Sequence, residues 1–430
     1  MSLGWAKAIR KRRVRRMAAS SHTADPSPGL GRARALVFTS VGHFVNDGSV
    51  FLLPLIVDVL SSLYGASHVE VAVLLSLFYL SSGAFSVVVG KRADRTGQRG
   101  RLMAAGIGLL GLGLVGFYLS MLYLRGPEIF AVGLACDLGM GFGSSFYHPL
   151  GGSILQSSFE RRTAGRALGL NGAVGSVGRA LYPTLYVVAA AAFTVPGSMG
   201  FFGLLGIAAA FLIWAGLGSA KSTGAKPSIG SKSVRGMLTG PLVVLVVISF
   251  VRSAALFGIA AYIPTFLTQQ RGLGLGASLG LTMTVFYASA ILGQPAFGRL
   301  IEKVDHRLVL AVSALGAAGS IVGYVNASGL LGIVLLSLFG FFAYTGFPVL
   351  MSLAADYAPD AASTLSNSLV WGLGATGGNA VGPLLIYALL FNNYGRLGLS
   401  FEYMAALAVA SAAGAFLIPK PAAGRTARAD

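Results

Sequence analysis

Apolar runs about as long as a membrane-crossing helix, cut by short polar stretches, recur along the whole 430-residue chain. A helix needs roughly 20 apolar residues to cross a bilayer core, and the runs lack the strict alternation of a barrel strand. Only helices and closed barrels satisfy every backbone group in lipid. The pattern predicts an all-α membrane protein of twelve transmembrane helices, over 35–62, 70–90, 102–124, 128–149, 166–192, 198–219, 241–267, 277–297, 308–325, 329–353, 363–390 and 400–418. An even count places both termini on one side of the membrane.

The polar interruptions carry a repeat. GKRADRTGQR, Gly90 to Arg99, returns as GRLIEKVDHR, Gly298 to Arg307, so that Gly90 aligns with Gly298, Asp94 with Glu302, Arg95 with Lys303 and Arg99 with Arg307. Phe78-Tyr79 returns as Phe286-Tyr287 at the same offset, and GAVGSVGRALYP, ending at Pro183, has a counterpart in GLGATGGNAVGP, ending at Pro383. Two pseudo-symmetric six-helix bundles are expected, 35–219 and 241–418, joined by a Gly-, Ser- and Lys-rich linker at 220–240 and flanked by tails at 1–34 and 419–430. Two such halves rocking about a midplane site form a transporter architecture.

Composition agrees: 55% of residues are hydrophobic and 11% charged. The net charge of +18 would suggest nucleic acid on a soluble surface, but the cations sit between apolar runs. Of the 32 Lys and Arg, 27 fall on the tails and loops of one face, three (Arg125, Arg271 and Arg396) on the other, and Arg179 and Arg252 within helices. By the positive-inside rule the rich face is cytoplasmic, giving a multi-pass plasma-membrane protein with both termini inside. Met17 offers an alternative start to the basic tail. The lone Cys136 excludes an internal disulfide framework. The five histidines form no HExxH pair and no phosphate-binding loop occurs, so neither a metal, nor a cofactor, nor ATP drive, nor enzymatic chemistry is expected.

With Gly90, Asp94, Arg95, Gly97 and Arg99 matching G-x-x-x-D-R-x-G-x-R after the second helix, the chain resembles the major facilitator superfamily over essentially its whole length beyond residue 34. The resemblance implies a secondary carrier working by alternating access, with this loop and its copy at Gly298, Glu302, Lys303 and Arg307 as a cytoplasmic gate. HFVND at His43 to Asp47 and FYHP at Phe146 to Pro149 are similar to segments of fosmidomycin-resistance-like efflux carriers. That points to proton-coupled efflux of a small solute by a monomer, with protons and membrane lipid as its other partners. Uptake of a small organic anion and a non-transporting sensor are the alternatives.

Ionisable groups within the bilayer are costly and point to function. Asp47, Asp137, Arg179 and Arg252 fall near mid-helix and sum to zero charge. Asp47 with His43, on one helical face together with Asn46, is the expected proton-coupling pair; a structural network is the alternative. Asp137 and Arg179, on consecutive antiparallel helices, are expected to pair. Arg179 and Arg252 suit an anionic or zwitterionic substrate. Asp137, His148, Tyr182, Tyr262, Tyr287, Gln294 and Trp371 are further lining candidates, although aromatic residues in helices also serve as packing.

Overall fold

The computed structural model describes residues 31–53, 56, 60, 64–65, 67–218, 238–273, 277–358, 364–391 and 393–420. The predicted basic tail up to residue 30 with Met17, most of the linker (219–237) and residues 421–430 lie outside the described residues. No strand occurs among the described residues.

Twelve helical passes run through the described residues. They are α1 (Arg32–Val50), α2 (His68–Thr96), α3 (Arg99–Tyr123), α4 (Pro127–Ser158), α5 (161–193), α6 (195–217), α7 (Gly240–Gln269), α8 (Ala277–Leu300), α9 (His306–Asn326), α10 (Gly329–Tyr357), α11 (Thr364–Leu390) and α12 (Leu397–Leu417). Helices α5 and α6 are divided only at Thr194, whose φ of 73° breaks the helix just before Pro196. Several helices outrun the apolar stretches that predicted them, because polar end residues continue the backbone ladder beyond the lipid. α2 is an example. Ser67 Oγ accepts from the Glu70 N–H while the Glu70 carboxylate accepts from the Ser67 N–H, a reciprocal cap that starts the helix. Its far end is Gly97 in the left-handed region (φ 66°), which a side chain would strain.

Among the described residues, nine helical stretches are apolar and long enough to cross a membrane by composition alone, one of them being α5 and α6 together. The passes that miss this criterion are α1 and α8. In α1 the dilution comes from Thr39, His43, Asn46, Asp47 and Ser49, all buried inside the protein. Polarity spent on an interior cavity lowers the hydropathy of the helices that line it.

The helices form two bundles. Phe78, Phe117 and Phe202 anchor the core of the first, and Phe286, Phe339 and Phe401 that of the second. The bundles meet along two related seams, α2 against α11 and α5 against α8. Glycine makes both possible: a Cβ on Gly90 would stand 2.2 Å from Ser368 Oγ, and one on Gly298 would stand 2.7 Å from the Gly165 carbonyl oxygen. The two glycines aligned in the sequence repeat thus perform the same packing task in opposite halves. Two aromatic pairs repeat this relation, Phe51 of the first half on Tyr287 of α8 (4.8 Å between centroids) and Phe257 of α7 on Tyr79 of α2 (4.5 Å).

Candidate functional site

Between the bundles lies a cavity of about 100 Å³. Asp47 of α1 is its charged centre. Arg179 Nη1 of α5 stands 3.1 Å from Asp47 Oδ2, His43 Nε2 3.3 Å from the same oxygen, and His148 Nε2 of α4 3.5 Å from Oδ1. The Asn46 amide also donates to Oδ1. The spacing of His43 and Asp47, one helical turn apart, puts both on the inner face.

Behind His43 lies a buried network. Asn171 Nδ2 stands 3.2 Å from Thr39 Oγ1, whose own proton goes to the Ala35 carbonyl oxygen. Asn171 Oδ1 lies 2.9 Å from both His43 Nδ1 and Tyr147 OH, and Tyr147 OH lies 2.9 Å from the Thr39 carbonyl oxygen as well. These contacts hold the ring so that His43 Nε2 faces a carboxylate oxygen. A proton on either partner makes that contact a hydrogen bond.

The second half supplies Arg252 of α7. Its guanidinium is buried and donates to Ser313 Oγ (3.2 Å) and to the carbonyl oxygens of Phe342 (3.3 Å) and Ala343 (3.2 Å), with no carboxylate within ion-pair distance among the described residues. A Cβ on Gly346 would lie 3.1 Å from Arg252 Nη1, so the glycine keeps space open beside the cation. Trp371 of α11 stacks on His148 at 4.4 Å, and Tyr344 of α10 lies under Arg179 at 4.7 Å.

At the end of the bundle that holds the Gly90–Arg99 loop, the halves are latched together. The Asp94 carboxylate accepts from the backbone N–H groups of Thr364 (3.0 Å) and Leu365 (2.9 Å), the first turn of α11, and Arg99 stands 3.3 Å from it. Anions belong at a helix N-terminus, where N–H groups lack intrahelical partners. Gln156 donates to the Met351 carbonyl oxygen and accepts from Asn367, both at 2.9 Å, while Thr364 Oγ1 donates to Ser153 Oγ at 3.0 Å. Glu302 pairs with Arg166 on α5 at 3.1 Å.

The sequence pattern of the Major Facilitator Superfamily matches residues 39–283 and 275–430. The chain belongs to this superfamily. It is 28% identical over 179 residues to a probable L-galactonate transporter of Escherichia coli, a match spanning 41% of this chain and only 36% of that protein. It is 23% identical over 369 residues to an uncharacterized MFS-type transporter of Bacillus subtilis, YfnC, covering 83% and 88% of the two chains. The fold is similar to the crystal structure of the human organic anion transporter MFSD10 (TM-score 0.70, 18% identity, 89% of this chain and 99% of that one). The chain is thus a multi-pass secondary transporter and not an enzyme, with the superfamily's twelve helices in two bundles.

Within this superfamily fold, His43, Asn46, Asp47, His148, Arg179, Arg252, Gln294 and Trp371 all line the cavity. Asp137, Tyr182, Tyr262 and Tyr287 do not. The expected Asp137–Arg179 pair is absent: Arg179 reaches inward to Asp47, while Asp137 is buried against the Phe78 turn of α2. Tyr182 fills the core between Phe44 and Phe202, Tyr262 packs on the core of the second bundle, and Tyr287 meets Phe51 and Tyr344 edge to face. Residues that sequence reasoning missed include Tyr79, Tyr344, Phe347 and Asn379. The repeat at Phe78-Tyr79 marked the first of them. In the loop copy, Arg307 is not the counterpart of Arg99 as aligned, because it pairs with Asp305 at 2.6 Å and not with Glu302. That bond holds the Asp305 carboxyl below the usual carboxylate range. Arg95 and Lys303 are exposed.

The sequence held no metal motif, yet the fold groups ligand atoms of His43, Asp47 and His148 within 4.8 Å of one another. A dication would share that carboxylate with the Arg179 guanidinium, and like charges at that distance repel.

Proposed function

We propose that this carrier moves a small organic anion together with protons, with Arg252 as the anion-binding group and Asp47 with His43 as the proton-coupling pair. The observation that carries the reading is Arg252: a buried guanidinium that faces the cavity without a carboxylate partner, while Arg179 is neutralised by Asp47. Counting His43 and His148 as neutral, the cavity keeps one net positive charge, which an anionic substrate offsets. Asn46, Gln294 and Asn379 offer hydrogen-bonding groups for a polar substrate body, and Trp371 and Tyr344 offer aromatic faces.

Proton coupling follows from the same charges. An inside-negative potential opposes entry of an anion by about 2.3 kcal/mol per charge per 100 mV, and a proton carried in the same cycle cancels that term. The contact of His43 Nε2 with Asp47 Oδ2, at 3.3 Å, is the place for that proton. The similarity to a probable L-galactonate transporter and to the organic anion transporter MFSD10 supports this class of substrate. The cation-rich loops support a cytoplasmic position for the Gly90–Arg99 face, and on that orientation the latched gate corresponds to a carrier closed toward the cytoplasm. The sequence repeat supports a division into halves at 35–219 and 241–418, a linker at 220–240 and tails at 1–34 and 419–430.

A second reading, extrusion in exchange for protons, has one observation in its favour: the HFVND and FYHP residues converge on a single carboxylate. Flux in proteoliposomes, with a panel of sugar acids and other small carboxylates under an imposed pH gradient, separates the readings. Accumulation driven by an acidic exterior supports co-transport, and accumulation driven by an acidic interior supports exchange. No flux of any anion with either gradient removes both and leaves the sensor alternative.

A further inference from the structure

Asp137 lies about 15 Å along α4 from Pro127 at 1.5 Å per residue, near mid-membrane. It is fully buried, and neither carboxyl oxygen makes a hydrogen bond among the described residues. Two helices flank it. From α2 come the backbone at Phe78 and the ring of Tyr79; from α3 come Gly113 and Gly116, beside Cys136 of α4 itself, with Tyr118 turned toward Gly200 of α6. Among the described residues the nearest titratable groups are thus Tyr79 and Cys136, and no charged side chain is against it.

An ionised carboxylate so deeply buried has, among the described residues, only the Phe78 backbone beside it and no cation, and takes up a proton instead. We propose that Asp137 is a second proton-binding site of this carrier, loaded in the conformation described here and emptied when α2 and α4 separate. The proposal rests on the proton-coupled reading above. The step is a simple ionisation: the carboxylate gains a proton from water on one side and returns it to water on the other.

The packing supplies the means of release. Gly141, one turn after Asp137, lets α2 approach so closely that a Cβ there would stand 2.4 Å from the Phe78 carbonyl oxygen, and Ser81 Oγ donates to the Leu138 carbonyl oxygen at 3.0 Å. Further along the same face, Ser144 and His148 reach the cavity. Phe78 and Tyr79 therefore separate Asp137 from the cavity, and they ride on the helix whose other end carries the Asp94 latch. Movement of α2 as the halves rock exposes the carboxyl group to water.

The test uses the full chain and two readouts. Infrared spectra of the purified carrier at neutral pH are expected to show the C=O stretch of a buried carboxylic acid that disappears in Asp137→Asn. Asn has nearly the shape of the protonated acid, so the variant is expected to fold and still exchange substrate in counterflow, while accumulation driven by a pH gradient falls at least tenfold. Asp137→Glu is expected to restore part of the gradient response. A band that persists unchanged in Asp137→Asn, or full gradient-driven accumulation by that variant, overturns the proposal. Wild-type counterflow with no response to a pH gradient strikes instead at the proton-coupled reading.

Discussion

Replacing Asp94 with alanine isolates the latch between the halves. The carboxylate accepts two backbone N–H bonds from the first turn of α11, at 3.0 and 2.9 Å, and these exist only while the halves are closed at that end. Hydrogen bonds to a charged group contribute about 1.5–3 kcal/mol each. The Asp94 side chain retains 27% exposure, which pulls each bond toward the lower limit. The latch is then worth about 2–4 kcal/mol, and at about 1.4 kcal/mol per tenfold its loss shifts the closed-to-open ratio by about 30- to 700-fold. Spin labels at the exposed positions 95 and 303, in a Cys136→Ser background, report the separation of the two halves. Asp94→Ala is expected to lengthen that distance and to lower turnover far more than substrate affinity, with Asp94→Asn intermediate. An unchanged distance distribution, or a loss confined to affinity, would refute the assignment of Asp94 to the gate.

Three further outcomes are expected. Arg252→Gln removes the unpaired cation and should weaken anion affinity about 10- to 150-fold, from about 1.5–3 kcal/mol for a charged hydrogen bond; saturation curves that match wild type would sink its binding role. Gly90→Ala pushes a Cβ against Ser368 Oγ and to 3.0 Å from the Thr364 carbonyl oxygen, so it should open the latch in the same label experiment without lowering helix content. At the start of α2, the Ser67 N–H and hydroxyl hold the Glu70 carboxyl below its ordinary range. Its stabilisation is present above the unfolded value near about 4.3 and is lost as pH falls through the lower folded value. Melting curves of wild type and Glu70→Gln should therefore differ at neutral pH and converge in acid; parallel curves across that range would remove the cap's contribution.

The twelve passes were readable because lipid imposes one long apolar run per helix, and the two halves because their loops and glycine seams repeat. The Gly90–Gly298 correspondence survives in three dimensions since each glycine admits a neighbouring helix of the other bundle. The partner of Arg179 was not readable. Helix order made Asp137 its neighbour in sequence, but the choice between Asp47 and Asp137 depends on the rotation of α4 about its axis, which one run of apolar residues leaves undetermined. The aromatic lining divided for the same reason: Tyr79 and Tyr287 are repeat equivalents, yet only Tyr79 borders the cavity.

α11 explains how the gate and the site act together. Its first N–H groups bind Asp94, and a π-helical stretch follows at Ser368–Thr376, which includes Trp371. A π stretch carries an extra residue per turn and recurs at functional sites. Here it turns the indole onto His148, at 4.4 Å, and His148 touches Asp47 at 3.5 Å. Gly372, one residue on, lies so close to α2 that a Cβ would stand 1.6 Å from Ser86 Oγ, so this part of α11 cannot rotate without moving α2. One helix of the second half thus holds both the latch and the ring that packs on His148 of the first. Tilting α11 away from α2 breaks the Asp94 bonds and lifts Trp371 from His148 in one movement. On the proposed coupling, occupation of Asp47 by a proton and release of the latch are biased by the same two-state element, which is what coupling a proton gradient to alternating access requires.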